Sequence, residues 1–209
     1  MISCARSRTS PLQFRSRLMP LIALAALLAT FARAAIAEER RDGLPQLMQQ
    51  LAERRHGHAA FVERQFMAIF DRPLESSGEL FYDAPDRLEK RTLAPKLESF
   101  VLDKGTLSVR RGSRRYALSL HDYPQIAPFI ESIRATLAGD LVALERSYTL
   151  GFESGAEDWT LVLLPRDVKL AAVIARIRMQ GSRNLVREVI VERADGDHSV
   201  MTISELPGS

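Results

Sequence analysis

The chain has 209 residues, is 46% hydrophobic and 26% charged, and carries a formal net charge of +3. Five of its 29 Lys and Arg residues and none of its 26 acidic ones lie in the first 37 positions, leaving 24 against 26, a net charge of −2. That balance gives no electrostatic reason to bind nucleic acid. Cys4 is the only cysteine and lies in the same early stretch, so a disulfide framework, a thiol nucleophile and cysteine-ligated metal are excluded from the rest.

Residues 1–37 read as a signal peptide. Arg6, Arg8, Arg15 and Arg17 form a basic start, an uncharged stretch runs from Leu18 to Ala32, and Ala35-Ile36-Ala37 precedes Glu38 as a small-x-small cleavage site. The apolar stretch is short of the roughly 20 residues a spanning helix needs, which makes an uncleaved anchor the minor alternative. The 172 residues after position 37 suffice for one core of ordinary size. Residues 38–209 are therefore expected to form a single soluble domain in the periplasm.

Leu44, Leu47, Met48 and Leu51 recur at helical spacing, so an amphipathic helix is predicted from Leu44 to Arg55. Alternation follows over 58–70 with neither face cleanly polar, which predicts a strand contacting protein on both sides. Short strands are then expected at 78–83, 86–93, 97–102, 106–111 and 114–120, separated by Pro, Gly and Asp turns. Such tight connections make consecutive strands antiparallel neighbours. After Tyr123-Pro124, an apolar stripe of Ile126, Phe129, Ile130, Ile133 and Leu137 marks a helix ending near Gly139. A short helix at 141–144, strands at 147–153 and 157–164, a helical piece at 167–174, and strands at 175–181, 185–193 and 198–204 complete the order, the last pair joined by Asp195-Gly196.

The expected fold is mainly β (α+β): one strongly curled antiparallel sheet of about eleven strands, since sheets of that size close, split or bend. The inserted helices then act as a lid over the concave face. His56, His58, His121 and His198 show no ligand spacing, and HExxH, CxxC, GxSxG and phosphate-loop motifs are absent. No metal or cofactor is expected. The basic clusters at Arg110, Arg111, Arg114 and Arg115 and at Arg176, Arg178 and Arg183 read as solvated strand faces and turns.

Gly78-Glu79-Leu80, Pro85, Pro95 and then Glu98-Ser99-Phe100-Val101-Leu102-Asp103 with Gly105 resemble the LolA-type outer-membrane lipoprotein carriers in spacing, and the order of elements resembles theirs along residues 38–209. The resemblance implies an unclosed barrel whose hydrophobic cavity takes the acyl chains of lipoproteins or another lipid, with no catalytic chemistry. It implies, as partners, an acylated cargo, an inner-membrane donor complex and an outer-membrane acceptor, the chain acting as a monomer. Strand parity nominates Leu80, Tyr82, Leu88, Phe100, Leu102 and Trp159 as cavity lining, and Ile126, Phe129, Ile130, Ile133 and Leu137 as the lid. The classical carriers place a lid-closing arginine immediately before the first proline; here that position is Ala84. Two other readings remain open at this point: a periplasmic sensor or adaptor of the same fold that binds a protein, and an enzyme on a hydrophobic substrate using a buried carboxylate such as Glu63 or Glu89.

Overall fold

The computed structural model describes residues 43–124 and 127–206; the proposed signal peptide and Ile126 lie outside the described residues. It opens with helix α1 (Leu44–Glu53), followed by β1 (His56–Phe66), β2 (Leu74–Asp83), β3 (Arg87–Ala94), β4 (Glu98–Asp103), β5 (Thr106–Arg111) and β6 (Arg114–Ser119). A 3₁₀ turn at Leu120–Asp122 leads into α2 (Ala127–Leu137) and α3 (Leu141–Ser147). Strands β7 (Tyr148–Ser154) and β8 (Asp158–Pro165), helix α4 (Val168–Ala171), and β9 (Ile174–Ser182), β10 (Leu185–Arg193) and β11 (His198–Glu205) complete the chain.

All eleven strands form one sheet in the order β6-β5-β4-β3-β2-β1-β11-β10-β9-β8-β7, and each of the ten pairings is antiparallel. The two halves of the chain thus meet where β1 pairs with β11, and β6 and β7 are left as free edges. This is the expected unclosed barrel of eleven antiparallel strands with helices on one face.

Differences from the expected boundaries have local causes. The strand predicted to reach residue 70 ends at Phe66, because β2 joins the ladder only at Leu74, opposite Gln65. Residues 67–73 instead form a loop, tied by a bond from the Ala68 amide to Asp197 Oδ1 (3.0 Å). Helix α1 stops at Glu53, and the Arg55 carbonyl accepts from the Ala84 amide (2.8 Å), drawing the chain into β1.

The core is one-sided. The apolar stripe of α1, Leu44, Leu47, Met48 and Leu51, packs with Tyr148 and Phe152 on β7, Trp159, Leu161 and Leu163 on β8, Ile177 and Met179 on β9, and Val189 on β10. Burial of each large apolar side chain contributes about 1.5–3 kcal/mol, so the four from α1 alone hold the helix firmly. Asp140 caps α3 by accepting from the Ala143 amide (3.0 Å), and Asp167 caps α4 by accepting from the Lys169 and Leu170 amides.

Gly78 shows why the glycine of the glycine-x-leucine stretch is needed. It sits at an irregularity in the β2–β3 pairing, where an added Cβ would lie 2.0 Å from the Arg91 carbonyl oxygen. Any side chain there must push β2 away from β3. Gly78→Ala is accordingly expected to lower the unfolding free energy by at least about 2 kcal/mol, read as a drop in urea midpoint with an unchanged slope.

Candidate functional site

Opposite residues in an antiparallel ladder point to the same side, so the register shows which side chains share the helix-bearing face. Ala59 lies opposite Leu80, Leu80 opposite Lys90, Lys90 opposite Phe100, Phe100 opposite Val109 and Val109 opposite Tyr116. One row along, Tyr82, Leu88, Leu102, Leu107 and Leu118 form a second line across β2–β6. The same parity carried across β1 and β11 reaches Met201, Val189, Met179 and Leu161 in the core. Helices and both rows therefore lie on one face.

Burial divides that face. Tyr82 and Leu102 are buried, whereas Leu80, Leu88, Phe100, Leu107, Val109 and Leu118 are only half-buried and lie outside the close-packed cluster around α1. The β2–β6 half is thus a largely apolar wall, interrupted by Lys90 between Leu80 and Phe100, that no element among the described residues covers completely. Trp159, also nominated as lining, belongs instead to the filled half: it is 5% exposed, and its indole nitrogen donates to the Arg183 carbonyl (2.9 Å).

Helix α2, nominated as the lid, is oriented unusually. Its most buried side chains are Ser132, Ala135 and Thr136, which are small, with the Thr136 hydroxyl donating to the Ser132 carbonyl (2.8 Å). The apolar stripe predicted to be its inner side is only half-buried at Phe129, Ile130, Ile133 and Leu137, and of these Phe129 and Ile133 touch the core cluster. Gly139, in the left-handed region (φ +67°), ends this segment, and an added Cβ would lie 2.1 Å from the Met48 carbonyl oxygen of α1.

Two features of the site escaped the sequence reading. The first is Arg134. Only 14% exposed, it reaches from α2 to the β2–β3 turn, where its Nη1 donates to the Pro85 carbonyl (3.4 Å) and lies 3.6 Å from Asp86. On the helical side it pairs with Glu131 (2.6 Å) and Asp140 (3.5 Å). Burial disfavours its charge, but the bonds and charges of Glu131 and Asp140 more than offset this and hold the guanidinium more basic than usual. Ala84 supplies no arginine, yet the adjoining Pro85 carbonyl accepts from one on α2. The apolar periodicity that identified α2 carries no information on this contact, because Arg134 lies off the stripe.

The second is the ion pair of Glu63 with Lys90. Both are on the helix-bearing face, and Lys90 also lies 4.9 Å from the centroid of the Phe61 ring. Glu63 is 8% exposed, so breaking the pair would leave a carboxylate buried and uncompensated. Glu89 belongs to the opposite face, held by Arg91 (2.9 Å), Arg87 and Ser99. Both carboxylates nominated for proton transfer are thus held by cations.

Two tyrosine hydroxyls, those of Tyr82 and Tyr148, are buried with no hydrogen-bond partner among the described residues. Burial raises both phenols; for Tyr82 the nearby charges of Arg134 and Arg55 pull the other way. Tyr148 is pushed up to about 12, Ser132 offsetting part of the effect. A cleft of about 320 Å³ lies elsewhere, between the start of α1 and the β7–β8 turn, lined by Gly43, Gln46, Gln50, Glu157 and Arg183 among others. Its lining is more polar than the wall, and it holds only one of the nominated residues, Trp159.

An unclosed antiparallel barrel with a half-covered, largely apolar wall and a helix tied to the β2–β3 turn is a carrier-type fold. The sequence profile of the family described as outer membrane lipoprotein carrier protein LolA-like matches residues 34–204, and the chain belongs to that family. No curated protein matches it by sequence. Among solved structures it is similar to a LolA superfamily protein from Nitrosomonas europaea, with 13% identity, 77% of this chain and 90% of that one covered, and a TM-score of 0.41. It is also similar to a putative outer membrane lipoprotein-sorting protein domain from Vibrio parahaemolyticus, with 9% identity, 83% and 94% coverage and a TM-score of 0.43.

The buried phenol of Tyr148 gives a stability test. A group whose folded pKa is raised contributes stability that is complete below its unfolded pKa and is lost as pH rises through the folded value. Between pH 10 and about 12, the parent protein should therefore lose roughly 2–3 kcal/mol that Tyr148→Phe does not lose. At neutral pH the variant should stay within about 1 kcal/mol of the parent, because the buried hydroxyl it removes interacts with Ser132 alone and makes no well-formed hydrogen bond. Urea titrations of both proteins across that range supply the comparison.

Proposed function

We propose that this protein is a periplasmic carrier that takes up the acyl chains of a lipoprotein or another lipid and moves them between the inner and outer membranes. One observation carries the reading: the half-covered apolar wall of Leu80, Leu88 and Phe100, flanked by buried Tyr82 and Leu102, stands on the same face as the lid helix. An acyl chain exposed to water costs about 0.8 kcal/mol per CH₂, and such a wall offers it shelter without a deep, rigid fit. Weak, adjustable contact suits cargo that must be released.

In this reading α2 is the movable part, and Phe129, Ile130, Ile133 and Leu137 meet the cargo as it enters. Arg134 is the brace that favours the covered state, because its grip on Pro85 and Asp86 is lost when α2 lifts. Cargo then binds at the expense of that contact, and a handover partner that restores it drives release. Family membership supports the reading from the outside, since the matched family is described as carriers of outer-membrane lipoproteins. Donor and acceptor complexes in the two membranes would be its partners.

Native mass spectrometry of protein purified from the periplasm tests the central point. An acylated adduct is expected, lost when Leu80 and Phe100 are both replaced by Ser; a chain that is always bare and cannot draw lipoproteins from inner-membrane vesicles would falsify the carrier. Arg134→Ala should raise uptake of a fluorescent fatty-acyl probe roughly tenfold, a shift of about 1.4 kcal/mol, with the fold retained. Unchanged uptake would remove Arg134 from its role as the brace.

A further inference from the structure

In a meander every second turn falls at the same end of the sheet, so the β1–β2 loop, the β3–β4 turn and the β5–β6 turn share one rim. With strands about 4.8 Å apart, the three turns form a row roughly 20 Å long. The β2–β3 turn that engages Arg134 is at the opposite end.

This rim carries apolar side chains in unusual exposure. Ile69 is 82% exposed, Leu97 71%, Leu93 49%, and Phe70 and Leu74 47% each. They project from turns and strand ends rather than forming a broad flat surface. Between and beside them stand exposed cations: Arg72, Lys96, Arg110, Arg114 and Arg115, none of which makes an ion pair among the described residues. The β10–β11 turn lies beside the β1–β2 loop on the same rim, and with it residues 64–75, 93–98, 110–115 and 193–198 together hold eight Lys and Arg against five carboxylates. Three of those carboxylates are already matched, Glu75 by Arg64 (3.0 Å), Glu98 by Arg111 (3.2 Å) and Asp195 by Arg193 (2.8 Å).

We propose that this rim docks the protein on an anionic bilayer surface, with Ile69, Phe70 and Leu97 entering the headgroup region and the unpaired arginines lying among lipid phosphates. The two kinds of group call for the same partner. Isolated apolar tips are individually too small for a stable protein interface, which needs about 800 Å² from each side, but they can enter an interfacial layer one by one. Surplus positive charge in a domain that is slightly acidic overall adds attraction to anionic lipid, worth about fivefold in partition for each cation near the surface. Docking does not depend on the identity of the cargo, so it stands or falls separately from the carrier reading.

The test is co-sedimentation of the exported protein with vesicles containing equal parts of phosphatidylglycerol and phosphatidylcholine. Residues 18–32 could enter a bilayer if retained, so mass spectrometry first fixes the N-terminus, and the readout is the difference between parent and variants. Ile69→Ser with Leu97→Ser, and separately Arg110→Ser with Arg114→Ser and Arg115→Ser, should each reduce partition at least tenfold while circular dichroism and acyl-probe uptake stay unchanged. Raising salt from about 0.1 to about 1 M, which shortens the screening length from about 10 to about 3 Å, should weaken the parent and leave the arginine variant nearly unaffected. Equal partition of parent and both variants would overturn the proposal, as would a parent that ignores these vesicles or binds pure phosphatidylcholine just as well.

Discussion

The packing of α1 against β7–β10 is the constraint on which the rest of the structure depends. Leu44, Leu47, Met48 and Leu51 fill the space in front of Tyr148, Phe152, Leu161 and Met179, and in doing so they occupy only half of the barrel. Close packing is thereby concentrated on one side, and most apolar residues of the β2–β6 side are half-buried and lie outside that cluster. A fully packed barrel would have no room for a ligand. One with neither half filled would lack the buried area that a domain without disulfides needs.

That division also bears on α2, the helix proposed to move. Its attachment uses small residues, Ser132, Ala135 and Thr136, and the close approach of Gly139 to α1, while its large apolar residues stay half-exposed. Separation of a small-residue interface loses less burial than separation of a leucine-rich one. The charged contacts of Arg134 then bias the position of the helix without fixing it, since partly exposed ion pairs are worth little each. Polar and apolar interactions thus have separate tasks: burial at α1 maintains the barrel, and directional bonds at Arg134 tie α2 to the β2–β3 turn.

Much of this was legible in the sequence because antiparallel strands advertise themselves. Alternation, the prolines at 85 and 95 and the glycines at 105 and 112 gave the order and approximate bounds of the strands, and parity alone placed Leu80, Tyr82, Leu88, Phe100 and Leu102 on one face, as the register shows. What parity could not give was depth. Trp159 follows the same alternation as Leu80, yet one is sealed under α1 and the other half-open, because alternation records which face a residue points to and not what lies in front of it. Arg134 was hidden for a related reason: its partners are 48 or more residues away in the β2–β3 turn, and no local pattern encodes such a meeting.

At Ala84 the chain lacks the arginine that the resemblance implies, and a different arginine, Arg134, contacts the adjoining turn. The resemblance places an arginine before the first proline, on the strand side of the joint between barrel and lid; here the strand side offers a carbonyl and a carboxylate, and the lid side provides the cation. A hydrogen bond across a joint is indifferent to which side donates, provided the donor is long enough to span the gap and charged enough to remain protonated. Arg134 meets both conditions, since its guanidinium is always ionised and Glu131 and Asp140 hold it in place. Because Glu131 shares α2 with Arg134 whereas Asp140 caps α3, a lifting of α2 in the proposed carrier would leave the first pair intact and would act on the contacts with Pro85 and Asp86 in the turn.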